Sequence, residues 1–180
     1  MSADEIFLSR SRYWLTKEYP IKLRHCVEAL PRATVWARPN ATSNSVGNLL
    51  VHLTGNVTEW ILGGVGGQSI KRHRASEFAQ TEGAEGNTLL DNLEAVLQEA
   101  DSVLAGLTAE DLERSITIQG RDTTILGAIY HVVEHFSMHT GQIVLLTKLY
   151  APGKIRFYED AGGLARPTWH QGTTLDEAAH

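Results

Sequence analysis

Four stretches of this chain carry apolar residues at the spacing of one helix face, and that repetition leaves few folds open. Over residues 44–62 the set is Val46, Leu49, Leu50, Leu53, Val57, Trp60 and Ile61. Over residues 88–107 it is Leu89, Leu90, Leu93, Val96, Leu97, Val103, Leu104 and Leu107. Residues 124–150 repeat Ile125, Ile129, Val132, Phe136 and Ile143 in the same way, and residues 3–30 make a further segment interrupted by Pro20, where a kink or break is expected. A helix with a wide apolar stripe must bury it against other helices, so four of them in one chain predict an all-α four-helix bundle rather than a long coiled coil. The 180 residues are enough for one domain with a sizeable core. The expected division is a bundle over residues 1–150 and an irregular tail over residues 151–180. Phe157, Tyr158 and Trp169 would pin that tail to the body or to a partner subunit.

The punctuation between these segments is equally readable. Pro31 and Pro39 bracket an irregular connection, and Gly63, Gly64, Gly66 and Gly67 stop the second helix. Residues 68–86 are polar and predict a long loop. Asn87 is the expected N-cap of the third helix, and Thr108 with Asp111 resembles a capping box for a short helical turn after it. From Ser115 to Gln119, Ile116 and Ile118 alternate with polar residues, as in a short strand. The fourth helix is expected to end before Pro152 and Gly153.

Composition narrows the functional classes. Hydrophobic residues make up 42% and charged residues 21%, an ordinary globular balance, and the formal net charge is −5. Such a chain does not attract a phosphate backbone over its whole surface. Its one basic cluster, Lys71, Arg72, His73 and Arg74, reads as a solvated loop rather than a nucleic-acid contact. No stretch approaches the roughly 18 apolar residues of a membrane span, and the charged N-terminal residues lack a signal-peptide apolar run. The single cysteine, Cys26, lies among Leu23, Val27 and Leu30 and is expected to be a core residue. These features predict a cytoplasmic protein with neither nucleic acid nor membrane as partner.

The chemistry is carried by the histidines, of which the chain has eight. On the fourth helix, with Phe136 at the centre of the buried face, His139 lies about 60° to one side and His135 about 100° to the same side. Both therefore occupy the shoulder of the core, one turn apart, whereas His131 lies near 140°, toward the outer surface. On the second helix, centred on Leu53, His52 lies about 100° round, again on a shoulder. Asn56 sits between His52 and the centre, with Glu59 just beyond His52. Imidazoles at i and i+4 can face one ion, and a third from another helix would complete a three-ligand face with open positions, as at a catalytic centre. Spacing alone does not show that the second helix packs beside the fourth. Residues 131–135 also match the inverted zinc-protease pattern H-x-x-E-H. That reading is set aside because His131 lies on the more exposed side. A third acidic ligand would moreover have to come from Glu159, Asp160, Asp176 or Glu177 in the tail. Glu134 is expected to face solvent or to orient a ligand histidine.

Two segments resemble the DinB/YfiT-like superfamily: His52-Leu53-Thr54-Gly55-Asn56, and the run from His135 through His139 to Gly141-Gln142-Ile143. The approach to the second helix, Trp36-Ala37-Arg38-Pro39-Asn40 followed by Ser43, Asn44 and Ser45, is also similar to that family's. The resemblance spans most of the chain. It implies an up-down-down-up bundle in which His52, His135 and His139 meet at one divalent metal ion, with zinc or nickel the favoured choices. His131 has no ligand role in that pattern. It also implies a metal-dependent enzyme, such as a transferase acting with a low-molecular-weight thiol on a small-molecule substrate, or a hydrolase, working as a homodimer. The alternative is a metal- or ligand-binding helical module without catalysis. Asn56 and Gln142 are the candidate substrate-orienting residues, and the catalytic residues are unassigned. Where many relatives carry arginine before Gly-Gln, this chain has Thr140, so a substrate contact made by that arginine is not expected here.

Overall fold

The computed structural model of the chain describes residues 1–169. Four rods make up a bundle. The first joins α1 (Ala3–Tyr13) to α2 (Tyr19–Ala29) through a π-helical turn, Trp14–Glu18. Pro20 lies in the first turn of α2, where its missing N–H costs least, and Tyr19 N–H bonds back to the Trp14 carbonyl. The expected break at Pro20 is therefore absorbed as a widened turn within a continuous rod.

The second rod is α3 (Val46–Val57), continued by a π-helical segment, Thr58–Val65. Ser45 caps it, accepting from Asn48 N–H at 3.1 Å while the Asn48 side chain accepts from Ser45 N–H at 3.0 Å. The third rod, α5 (Gly86–Ala105), starts one residue before the expected cap: Glu85 is its N-cap, so Asn87 already lies inside the helix. The fourth is α7 (Ile125–Tyr150), capped by Thr124, which accepts from Gly127 N–H at 3.1 Å.

The remaining elements are short. Residues 68–86, expected as a loop, contain α4 (Arg74–Ala79). The turn α6 (Ala109–Glu113) carries the expected Thr108–Asp111 capping box. The strand β1 (Ser115–Ile118) pairs antiparallel with β2 (Arg121–Thr124), a partner the sequence reading did not anticipate, through a turn in which Gln119 and Gly120 both have positive φ. The tail is less irregular than expected, because β3 (Tyr158–Asp160) pairs with β4 (Ala165–Pro167). It folds back on its own bundle: Phe157 packs against the core, and Lys22 Nζ stands 4.2 Å over the buried Trp169 ring. His170, Asp176, Glu177 and His180 lie outside the described residues.

Contacts fix the direction of every rod. Arg12 near the start of the first meets Asp101 near the end of α5, and Arg24 near its end meets Glu94, so these two run antiparallel. Tyr19 stacks on Phe136, and Cys26 lies by Thr147, so the first rod and α7 are parallel. His52 faces His139 and Trp60 faces His131, so α3 and α7 are antiparallel. The Trp36 ring lies against Gly47 at the start of α3 and Gly83 just before α5, while Gly66 past the end of the second rod meets Val103. These contacts make α3 and α5 parallel, joined by the long 66–85 connection. The result is an up-down-down-up four-helix bundle with Phe136, Ile129 and Ile143 of α7 and the leucines of the other three rods at its centre. Cys26 is fully buried there, and its thiol is pushed up to about 11 by that burial, as expected for an inert core residue. Among the described residues no helix is long and apolar enough to cross a membrane.

Candidate metal centre

Where α3 and α7 cross, their shoulders bring His52, His135 and His139 together. One ring nitrogen of each lies within 4.8 Å of the others. His52 Nε2 and His135 Nε2 are 2.9 Å apart. Two ligands of one ion, at bonds of about 2.0–2.1 Å and angles of about 90–110°, span about 2.9–3.4 Å. His52 and His139 are buried and His135 is half-buried, so the cluster opens toward solvent on the His135 side.

The far nitrogens of two of these rings are held. His52 Nδ1 is 2.8 Å from Glu77 Oε2, and His139 Nδ1 is 2.8 Å from Gln142 Oε1. A carboxylate and an amide oxygen only accept; the Glu77 contact is shorter than the 3.1 Å from His52 Nδ1 to the donor Arg72 Nη2, so it assigns the proton to Nδ1 on both rings and leaves each Nε2 a lone pair. Burial pushes the Glu77 carboxyl up, but hydrogen bonds from His52 and Arg72 outweigh it and hold it below its ordinary range. Arg72 grips Glu77 through Nε at 2.6 Å and Nη2 at 2.8 Å, and reaches Glu59 at 2.8 Å; Gln119 in the β1–β2 turn donates to Glu59 as well. Gly55 makes room for this arrangement, since a Cβ there would lie 2.5 Å from Glu77 Oε1 and 2.7 Å from Arg72 Nε.

Glu77 and Arg72 are the site residues that sequence reasoning missed. In sequence Arg72 reads as part of a solvated basic loop, yet its side chain is only 6% exposed. The available signal was Gly55, a helix-weakening residue in the middle of an otherwise well-formed helical pattern, which marks a close approach by another part of the chain.

Electrostatics favour the neutral imidazole on the fourth helix. Burial, with the neighbouring histidines and Arg72 adding to it, pushes His135 down to about 3. Burial also lowers His139 and His131. Converging imidazole nitrogens, two of them on rings whose orientation is fixed from behind, are a donor set that a divalent cation takes.

Beside the cluster lies a cavity of about 330 Å³, bordered by His52, His135, Asn56 and Trp60 on the helices and by Arg74 and Arg121 at its rim. His131, expected on the outer surface, is instead half-buried in this wall with its ring 4.2 Å from that of Trp60. The tilted contact with Trp60, between the second rod and α7, turns it toward the cavity. It does not join the three-nitrogen cluster. Trp60 is buried, as a packing residue would be, and also forms part of the cavity wall. Asn56 is 3% exposed, and its Oδ1 has no hydrogen-bond partner among the described residues. Gln142 lies away from this cavity, on the His139 side, and borders an apolar groove with Leu145 and Leu149. Glu134 is exposed. Thr140 is buried.

A family described as a protein of unknown function (DUF1572) matches residues 5–157. No functionally curated protein matches the chain. Among solved structures, a conserved protein from Enterococcus faecalis superposes with a TM-score of 0.68 at 18% identity, covering 83% of this chain and 98% of that one. The DinB-like protein YjoA from Bacillus subtilis gives 0.62 at 20% identity, covering 84% and 98%. YfiT from Bacillus subtilis, described as a probable metal-dependent hydrolase with an unusual four-helix bundle topology, gives 0.65 at 15% identity, covering 83% and 89%.

Proposed function

Because the chain belongs to the DUF1572 family, and with it to the DinB/YfiT-like superfamily, we propose that it is a metal-dependent enzyme whose ion is held by His52, His135 and His139. One observation carries this reading: three imidazoles from two helices converge, with the far nitrogens of His52 and His139 locked by Glu77 and Gln142. Structural sites usually close the coordination sphere with a fourth protein ligand, whereas three neutral ligands beside a cavity leave room for a reactant. A divalent ion there would lower the pKa of a bound thiol or water and so supply a nucleophile at neutral pH.

The chain's own residues would do the rest. Glu77 and Gln142 orient the ligand rings. The Asn56 amide oxygen would accept a hydrogen bond from the reactant, and Trp60 with His131 would wall the cavity on one side. Transfer of a low-molecular-weight thiol to a small electrophile is the reaction we favour, with zinc or nickel as the ion. Hydrolysis is the second reading, supported by the description of YfiT as a probable metal-dependent hydrolase. We further propose a homodimer built on the outer face of α7, where Met138, Leu145 and Leu149 are each more than half exposed.

Metal analysis of purified variants tests the ligand set. His139→Ala should abolish stoichiometric binding, and His131→Ala should retain it. Equal loss in both variants would overturn the assignment.

A further inference from the structure

The cavity beside the histidines has a charge character that the molecule as a whole does not. The chain is net acidic, yet arginines stand at the cavity rim. The two carboxylates nearest to them are already engaged: Glu77 by His52 and Arg72, Glu59 by Arg72 and Gln119. Arg72 is shared between these two carboxylates and offsets the charge of one of them. Arg74 and Arg121 form no ion pair among the described residues. Arg74 is steadied from below, its guanidinium 4.9 Å over the Phe78 ring, which in turn packs 4.6 Å from the His52 ring. Arg121 opens β2 directly after the tight Gln119–Gly120 turn, on a hairpin tied to the π-helical part of the second rod through the Gln119–Glu59 bond. Asn56 borders the same cavity, and its buried Oδ1 has no hydrogen-bond partner among the described residues. A buried acceptor left without a donor costs free energy, which a ligand's O–H or N–H would recover.

We infer that this cavity takes a small carboxylate that also carries a hydroxyl or amine, its charge held between Arg74 and Arg121 and its donor accepted by Asn56 Oδ1. This names a substrate class for the proposed centre and so rests on that reading for its catalytic meaning, but the recognition itself belongs to residues that are not ligands. About 330 Å³ suits a compact molecule rather than a polymer. Two guanidiniums give a carboxylate several charge-assisted donors, and a desolvating wall strengthens them.

L-Lactate is the probe, with propionate lacking the hydroxyl and lactamide lacking the charge. Each is titrated calorimetrically into the full chain, once after chelator treatment and once loaded with zinc. Lactate should bind in both forms and lactamide in neither. Arg74→Gln and Arg121→Gln should each weaken lactate about tenfold or more, the loss of one charge-assisted hydrogen bond, at unchanged zinc stoichiometry. Asn56→Leu should erase the preference for lactate over propionate. If zinc binds one to one but lactate affinity is indifferent to both arginine variants, or lactamide binds as well as lactate, this inference is overturned while the metal reading stands. If lactate binds through the arginines and zinc does not bind at all, the metal reading falls and this one stands.

Discussion

Glu77 links residues far apart in the chain: it fixes the tautomer of His52 and compensates the charge of a nearly buried Arg72. Replacing it with glutamine keeps the shape but weakens both interactions. Glu77→Gln should therefore reduce metal affinity about 10–100-fold, the usual effect of disturbing a ligand's outer hydrogen bond. Competition titration against a chelating dye measures it; an unchanged affinity would show that His52 needs no such support. At this scale the sequence was informative about ligands and silent about their backing. His135 and His139 declare themselves by their spacing on one helix, and His52 by its resemblance-bearing segment. Glu77 lies 25 residues from His52 in a polar stretch with no periodicity to place it, so nothing local could aim it at the site. His131 was misplaced for a related reason. An angle measured from one helix axis says nothing about an aromatic partner on the neighbouring helix, and Trp60 supplies that partner.

At the level of elements, periodicity located all four rods because each buries a wide stripe against the others, and burial is what periodicity records. Ends were less legible. Asn87 has the right chemistry for a cap, but α5 already begins at Gly86, whereas Thr124 accepts a hydrogen bond from Gly127 N–H at the start of α7. Thr124→Ala should cost about 1 kcal/mol of stability, as loss of a cap does, and Asn87→Ala close to nothing. Urea denaturation of the two variants distinguishes the positions; equal losses would mean that the cap at Thr124 is not what holds the helix start. The π-helical turns escaped notice because widening a helix by one residue per turn leaves its apolar pattern nearly intact over so short a run. The strand β2 escaped because Arg121, Asp122, Thr123 and Thr124 are polar, and their pairing with β1 is set by the turn rather than by a buried face.

For the whole molecule, the buried imidazoles tie stability to acidity. An unfolded chain takes up protons on histidine near pH 6.5, whereas folded His135 resists them until about pH 3. Between those values the unfolded state binds more protons, so native stability falls as the pH is lowered through that window. After chelator treatment, the melting temperature should drop steadily below pH 6.5, and His135→Gln should flatten the drop. A wild-type melting temperature constant from pH 6.5 to 4 would contradict this account. The outer face of α7 makes a second prediction at this scale: sedimentation should give a dimer, and Leu145→Glu combined with Leu149→Glu a folded monomer. A monomeric wild type would remove the proposed assembly.

The up-down-down-up arrangement requires a connection long enough to run the length of the bundle, and that connection brings Arg72, Arg74 and Glu77 to the site. The ligands are thus written into two helices whose register cannot drift without dismantling the core. The groups that tune them are written into a segment with few core obligations. Chimeras that exchange residues 66–85 between relatives would then change metal preference and substrate charge while every ligand stays in place. One family can in this way diversify its chemistry by varying a single crossover.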